Sequence, residues 1–180
     1  MLIRKPPENR KLYTLDELEK IVEWSVNNLK GGAENKVIRR ADNHNLGTYY
    51  EGVTRDGILK YRTTSATTPG VDYWEQEIKL LDFEDALEMA DDMELSDENL
   101  VNLMVFGDIA IHCSCPAFLY WGYKYISWEL DYGKEPENRA PDIRNPGRSG
   151  TVCKHLYNVF TVIPAHILRI ASDLRDMDLL

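Results

Sequence analysis

The chain has 180 residues, 43% of them hydrophobic, which is enough to bury the core of one compact domain. No stretch approaches the roughly 18 consecutive apolar residues of a membrane helix, and the N-terminus has no apolar block of signal-peptide type. We therefore expect a protein made in a cytoplasm, with no membrane partner. Three cysteines cannot all pair within the chain, and a reducing compartment would keep them as thiols available to a metal ion.

The net charge of −9 is concentrated in one segment. Residues 75–98 contain eleven acidic residues and one basic residue, Lys79, so the rest of the chain is nearly neutral. The negative total therefore does not by itself argue against nucleic-acid binding. The acidic segment is interpreted as a solvated surface or, alternatively, as a contact for a basic partner. Residues 1–13 form a basic arm with two prolines, which we predict to be extended.

The first predicted element is a helix over residues 15–30. Thr14 and Glu17 form a capping box at its start, and two glycines that can end it follow. Farther along, β-branched and aromatic runs separated by turn residues predict strands at 58–64 and 71–80. These two strands are expected to pair as a hairpin.

The next predicted elements lead to the first cysteines. Helical spacing of apolar residues returns at 83–93, with acidic residues on the opposite side. The run 100–113 contains a Gly-Asp turn between two apolar stretches. This pattern predicts a second hairpin.

The C-terminal part is predicted to be mainly helical. Residues 116–130 are expected to form one helix, because proline suits a first helical turn and aromatic residues recur every three to four positions. The Pro- and Gly-containing stretch 131–150 predicts a long loop. Two helices over 151–163 and 165–177, separated by Pro164, end the sequence.

Four residues have the spacing of a metal site. Cys113 and Cys115 form a Cys-x-Cys pair, and Cys153 and His155 form a Cys-x-His pair. Three thiolates and one imidazole are a ligand set that zinc binds tetrahedrally in structural sites, with no position left for substrate. Ligands two residues apart point to opposite sides of a regular strand. Each pair must therefore lie where regular structure ends, and helix-end amides would stabilise the thiolates.

Three alternatives compete with this assignment. Cys113 and Cys115 could form a redox pair, and His155 could be a core histidine. One structural zinc is preferred because it explains all four positions together. His112 competes as a ligand, but alternation along a strand turns it away from Cys113, and it is left out of the set.

The residues resemble the SWIM zinc finger, in a variant seen in uncharacterised bacteriophage proteins. The resemblance covers residues 109–163 and rests on Cys-Ser-Cys-Pro-Ala-Phe from Cys113, on Asn145-Pro146, and on Cys-Lys-His-Leu from Cys153. It implies a zinc ion, a hairpin-plus-helix fold, and contacts with DNA or proteins. Thirty-seven residues separate Cys115 from Cys153, more than in most members, so residues 118–150 are interpreted as an insertion.

The insertion contains aromatic residues followed by arginines. Its candidate contact residues are Trp121, Trp128, Arg139, Arg144 and Arg148. Aromatic rings beside arginines can bind single-stranded nucleic acid. The preferred interpretation is that the aromatic residues pack in a core beside the zinc or against a protein partner.

Together these patterns predict an α+β fold, with an antiparallel sheet, an N-terminal helix and a zinc-clasped helical C-terminal part. The arm at 1–13 is followed by an α+β part at 14–100 and a zinc-binding part at 101–180, expected to form one compact unit.

The preferred function is a non-enzymatic bacteriophage protein, a virion structural or assembly component that binds other phage proteins and no small-molecule substrate. It would be made in the host cytoplasm and end in the virion. The alternative is a SWIM-type nucleic-acid-binding accessory factor; a thiol or zinc hydrolase is the weakest hypothesis, because the coordination shell is filled.

Overall fold

The computed structural model describes residues 46–65, 68–92, 95–148 and 152–180. The basic arm and the first helix predicted above lie outside the described residues. Within the described part the chain has an α+β fold, as predicted, with a four-stranded antiparallel sheet and α-helices that pack against it.

The sheet is built in chain order. Its strands are β1 (Thr48–Val53), β2 (Ile58–Thr64), β3 (Tyr73–Leu80) and β4 (Ile109–Cys113). Each strand is antiparallel to the next, in the order β1-β2-β3-β4. The β2–β3 hairpin confirms the predicted one, and alternate side chains along it are buried and exposed.

Six α-helices are described. They are α1 (Phe83–Asp92), α2 (Asp97–Val105), α3 (Pro116–Tyr120), α4 (Tyr123–Glu129), α5 (Lys154–Val162) and α6 (Ile167–Asp176). A 3₁₀ turn at Ile163–His166 joins α5 to α6, as expected for the break at Pro164. None of the helices in the described ranges has the length and apolarity needed to cross a membrane.

The predicted hairpin at 100–113 is wrong in its first half, which belongs to helix α2. The side chain of Ser96 accepts a hydrogen bond from the backbone N–H of Asn99 at 3.3 Å and thus caps the helix. Four apolar side chains are buried along one side of α2: Leu100, Val101, Met104 and Val105. The second half is a strand, but it pairs with β3.

The predicted single helix at 116–130 is also wrong, because it is broken between α3 and α4. Gly122 has a φ of 76°, in the left-handed region. A Cβ at this position would overlap the ring of Pro141, which lies in the insertion. The break thus lets Pro141 pack closely against the backbone between the two helices.

Replacing Gly122 by alanine should lower the free energy of unfolding by about 2 to 4 kcal/mol, because it adds left-handed strain to a steric clash. Gly70 is a matched control, since its φ is also 76° but nothing lies within 4 Å of its Cβ position. Gly70→Ala should lower the free energy of unfolding only by the cost of the left-handed strain. Equal losses in urea unfolding of the two variants would show that the contact with Pro141 is unimportant.

A single core joins the sheet to the C-terminal helices. It extends from Tyr50 in β1 to Leu174 in α6, and α5 contacts all four strands. Leu156, Val159 and Phe160 of α5 are almost fully buried. Helix α5, which begins beside Cys153, is therefore the element that covers the sheet.

The insertion also protects the outer edge of β4. The backbone N–H of Ile111 donates to the carbonyl of Tyr132 at 2.8 Å, and that of Lys134 donates to the carbonyl of Ile111 at 3.0 Å. The rest of the described stretch 131–148 contains no helix or further strand pairing, which agrees with the predicted loop.

Candidate metal centre

The two predicted ligand pairs lie where regular structure ends. Cys113 is the last residue of β4, and Cys115 is the N-cap residue of α3. Cys153 is the N-cap residue of α5, and His155 lies in the first turn of that helix. The change of backbone direction at each place lets both members of a pair face the same point.

The structure brings all four predicted ligands together. The three Sγ atoms and a ring nitrogen of the histidine lie within 4.8 Å of one another. Ligand bonds of about 2.0 to 2.3 Å would separate tetrahedral zinc ligands by roughly 3.3 to 3.8 Å, so the four atoms lie within about 1 Å of the separations that a bound zinc ion requires. All four residues are buried, at 1–3% exposure. We call Cys113, Cys115, Cys153 and His155 the CCCH cluster.

The histidine of the cluster fits a ligand better than an ordinary core residue. Both ring nitrogens of His155 are buried, and neither has a hydrogen-bond partner in the described part of the chain. An unpaired buried nitrogen is costly, and a metal ion at the cluster would satisfy one of the two. The surroundings of His155 are therefore those of a metal ligand.

His112 lies outside the CCCH cluster, on the other side of β4. It is half-buried, with Nδ1 at 3.7 Å from Oε2 of Glu135 and its ring edge against Phe118. Burial lowers the pKa of this histidine. Its contacts are with the insertion.

The electrostatics of the three thiols also favour a cation. Burial raises the pKa values of Cys113 and Cys153 well above the ordinary thiol value. Hydrogen bonds from these two thiols lower the pKa of Cys115. Three adjacent buried thiolates would repel one another without a positive ion between them. The cluster can thus hold all three as thiolates when a metal is bound.

Two hydrogen bonds from outside the cluster reach its sulfur atoms. The backbone N–H of Phe118, in the first turn of α3, lies 3.3 Å from Sγ of Cys115, and Nε2 of Gln76 lies 3.6 Å from Sγ of Cys113. The first bond is the helix-end contact expected from the sequence. The second was not predicted; its signal was a glutamine at an inward-facing position of β3.

Two of the three candidate arginines in the insertion form ion pairs with carboxylates. Arg139 donates two hydrogen bonds to Glu137, at 2.8 and 2.7 Å, and these bonds lower the pKa of Glu137 to about 2. Arg148 lies 2.9 Å from Glu129. Arg144 is exposed and forms no ion pair with the described residues.

The two candidate tryptophans of the insertion are half-buried. Trp121 packs against the core, and its backbone carbonyl accepts a hydrogen bond from Asn145. The ring of Trp128 lies 6.0 Å from that of Tyr125. The aromatic residues at three-to-four spacing therefore do not form one buried face. The buried apolar side chains of α3 and α4 are Phe118, Tyr123 and Ile126.

The insertion also forms an open groove of about 370 Å³. Its lining includes Leu119, Tyr120, Arg139, Pro141, Ile143 and Arg144. Tyr120 is 63% exposed and Ile143 is 95% exposed. The groove is thus a surface at which apolar side chains meet solvent.

An aromatic and arginine group lies on the outer face of the sheet, where sequence reasoning placed no site. The guanidinium carbon of Arg62 lies 4.7 Å from the ring centre of Tyr73 and 5.6 Å from that of Tyr49. Both rings are more than 40% exposed. Glu51 lies 3.2 Å from Arg62. Tyr49, Arg62 and Tyr73 come from three adjacent strands, so the sheet pairing alone brings them together.

No family model, no curated protein and no solved structure matches this chain. The resemblance to the SWIM zinc finger therefore stays a prediction from the sequence.

Proposed function

We propose that the CCCH cluster binds one zinc ion, and that this zinc has a structural role. The supporting observation is the burial of four convergent S and N ligands, which fills a tetrahedral shell and leaves no place for a substrate. The ion would tie the end of β4 to the start of α5, the helix that covers the sheet. The spacing resemblance to the SWIM zinc finger supports the same metal.

We further propose that the chain is a non-enzymatic bacteriophage protein that acts through protein–protein contacts, as a virion structural or assembly component. Two exposed surfaces support this role. Glu84, Asp85 and Glu88 on α1 are exposed and form no ion pair with the described residues, which leaves them free for a basic partner. The groove of the insertion exposes Tyr120 and Ile143, and aromatic and apolar side chains are common anchors in interfaces.

Two measurements test this proposal. Elemental analysis of natively purified, reduced protein should give one zinc per chain, and X-ray absorption should give three sulfur ligands and one nitrogen. Mass spectrometry of purified virions should then detect the chain at a fixed copy number. A protein that carries zinc but is missing from virions would retain the metal site and contradict the structural role.

The alternative function is a nucleic-acid-binding accessory factor, and the group on the outer face of the sheet favours it. Exposed tyrosine rings flanking an arginine are a stacking platform for single-stranded bases. Binding to single-stranded DNA that weakens with salt and is lost in Tyr73→Ala would support this function over the preferred one. Trp128→Ala tests the insertion as the contact in the same assay.

A further inference from the structure

Five side chains form a continuous row of hydrogen bonds that crosses all four strands. Asn158 of α5 lies 2.9 Å from the hydroxyl of Thr48 in β1, which lies 3.3 Å from that of Thr63 in β2. Thr63 lies 2.7 Å from Oε1 of Gln76 in β3, and Nε2 of Gln76 reaches Sγ of Cys113 in β4 at 3.6 Å. The row starts on the helix that carries one ligand pair and ends on a ligand of the other pair.

The orientation of both amides in this row is fixed by backbone carbonyls. Nδ2 of Asn158 lies 2.8 Å from the carbonyl oxygen of Leu46, and Nε2 of Gln76 lies 2.7 Å from that of Trp74. A carbonyl only accepts hydrogen bonds, so the atom beside it in each case must be the nitrogen. The group that Gln76 presents to the sulfur is therefore an N–H donor.

The hydroxyl hydrogens follow from the amides. Oε1 of Gln76 only accepts, so Thr63 must give its single hydrogen to it. Thr48 must then donate to Thr63, while it accepts from Asn158. Every hydrogen bond in the row points toward Cys113, and hydrogen bonds aligned in this way polarise one another.

A sulfur atom that receives this donor is well suited to be a thiolate. Three thiolates and one divalent ion leave a net negative charge in the core, and a buried charge is costly unless it is hydrogen-bonded. Gln76 and Thr63 are fully buried, so water cannot replace them. Gln76 lies directly opposite Cys113 in the pairing of β3 with β4, and this register places its side-chain amide beside the sulfur of Cys113.

We propose that Gln76 is a positioning residue of the metal site, which stabilises the Cys113 thiolate and is itself oriented by Thr63. This inference rests on the proposed metal site and assigns part of its affinity to a residue that is not a ligand. Hydrogen-bond partners of ligands typically contribute about 10- to 100-fold in metal affinity.

The test uses the full chain with Zn²⁺ and Co²⁺ as probes. Gln76→Met keeps the side-chain length and removes the donor, so zinc affinity in competition with a chromophoric chelator should fall about 10-fold. The sulfur-to-cobalt charge-transfer band should also move to lower energy, because a thiolate that loses a hydrogen bond gives up an electron more easily. Thr63→Val should change the zinc affinity and the cobalt band in the same direction but by less. This variant provides the test if Gln76→Met does not fold.

Tyr61→Phe is the matched control. Tyr61 is also buried on the inner face of β2, but its hydroxyl is 3.2 Å from Nδ1 of His166, away from the cluster. It should lower stability and leave zinc affinity and the cobalt band unchanged. The inference would be overturned if Gln76→Met and Thr63→Val had the zinc affinity and the cobalt band of the parent. It would also be overturned if Tyr61→Phe changed both as much as they do. A parent protein that binds neither metal would instead overturn the metal site itself.

Discussion

Replacing Cys153 by serine should abolish stoichiometric metal binding and unfold the protein at room temperature. Serine supplies no thiolate, and the remaining buried ligands lose their cation. Structural zinc sites bind with about 10 to 16 kcal/mol of apparent free energy, which is comparable to or larger than the roughly 5 to 15 kcal/mol that stabilises a whole domain. Circular dichroism during thermal unfolding, together with metal content, measures both effects. Strong chelators should have the same effect on the parent protein.

Cys113→Ser should behave in the same way, because it removes a thiolate from the same shell. Ser114 is the control, since it lies between two ligands but is exposed, and its hydroxyl accepts one hydrogen bond, from the backbone N–H of Glu75 at 2.9 Å. Ser114→Ala should keep the metal and lose no more than about 1 kcal/mol. If only one of the two cysteine variants lost the metal, the four-ligand assignment would be wrong.

Replacing Phe118 by alanine should destabilise the protein by about 3 to 5 kcal/mol, the usual cost of truncating a buried aromatic side chain. Phe118 is 1% exposed, packs in the main core, and follows Cys115 in the first turn of α3. Chemical denaturation of the metal-bound protein provides the measurement.

Trp128 provides the comparison for this truncation. It lies on α4 and is half-buried, so Trp128→Ala should cost about 1 to 2 kcal/mol. A larger loss for Trp128 than for Phe118 would mean that the aromatic residues of α4 form the core beside the metal. That outcome would favour the core of aromatic residues beside the zinc that the sequence predicts.

Local patterns predicted several elements well because their causes are local. Alternating burial and turn residues marked the β2–β3 hairpin, and three-to-four spacing marked α1. The apolar run at 100–106 was ambiguous, since a short apolar run suits a strand or a buried helix equally. The Ser96 cap, which decides for a helix, is visible in the sequence.

The break between α3 and α4 had a different origin. A glycine inside a helical pattern is often tolerated, so the sequence alone did not require a break at Gly122. The reason for the break is the ring of Pro141, which only the fold brings to that position.

The sequence by itself determined the ligand set of the candidate metal site, because donor atoms and their spacing depend on residue type and on where helices and strands end. It also indicated that the site is closed, since all three cysteines and one histidine are used. Only the tertiary structure decided which residues support the ligands. Gln76 and Cys113 are 37 positions apart and meet because β3 and β4 pair in one register. Strand register is set by packing across the whole sheet, and no local pattern encodes it.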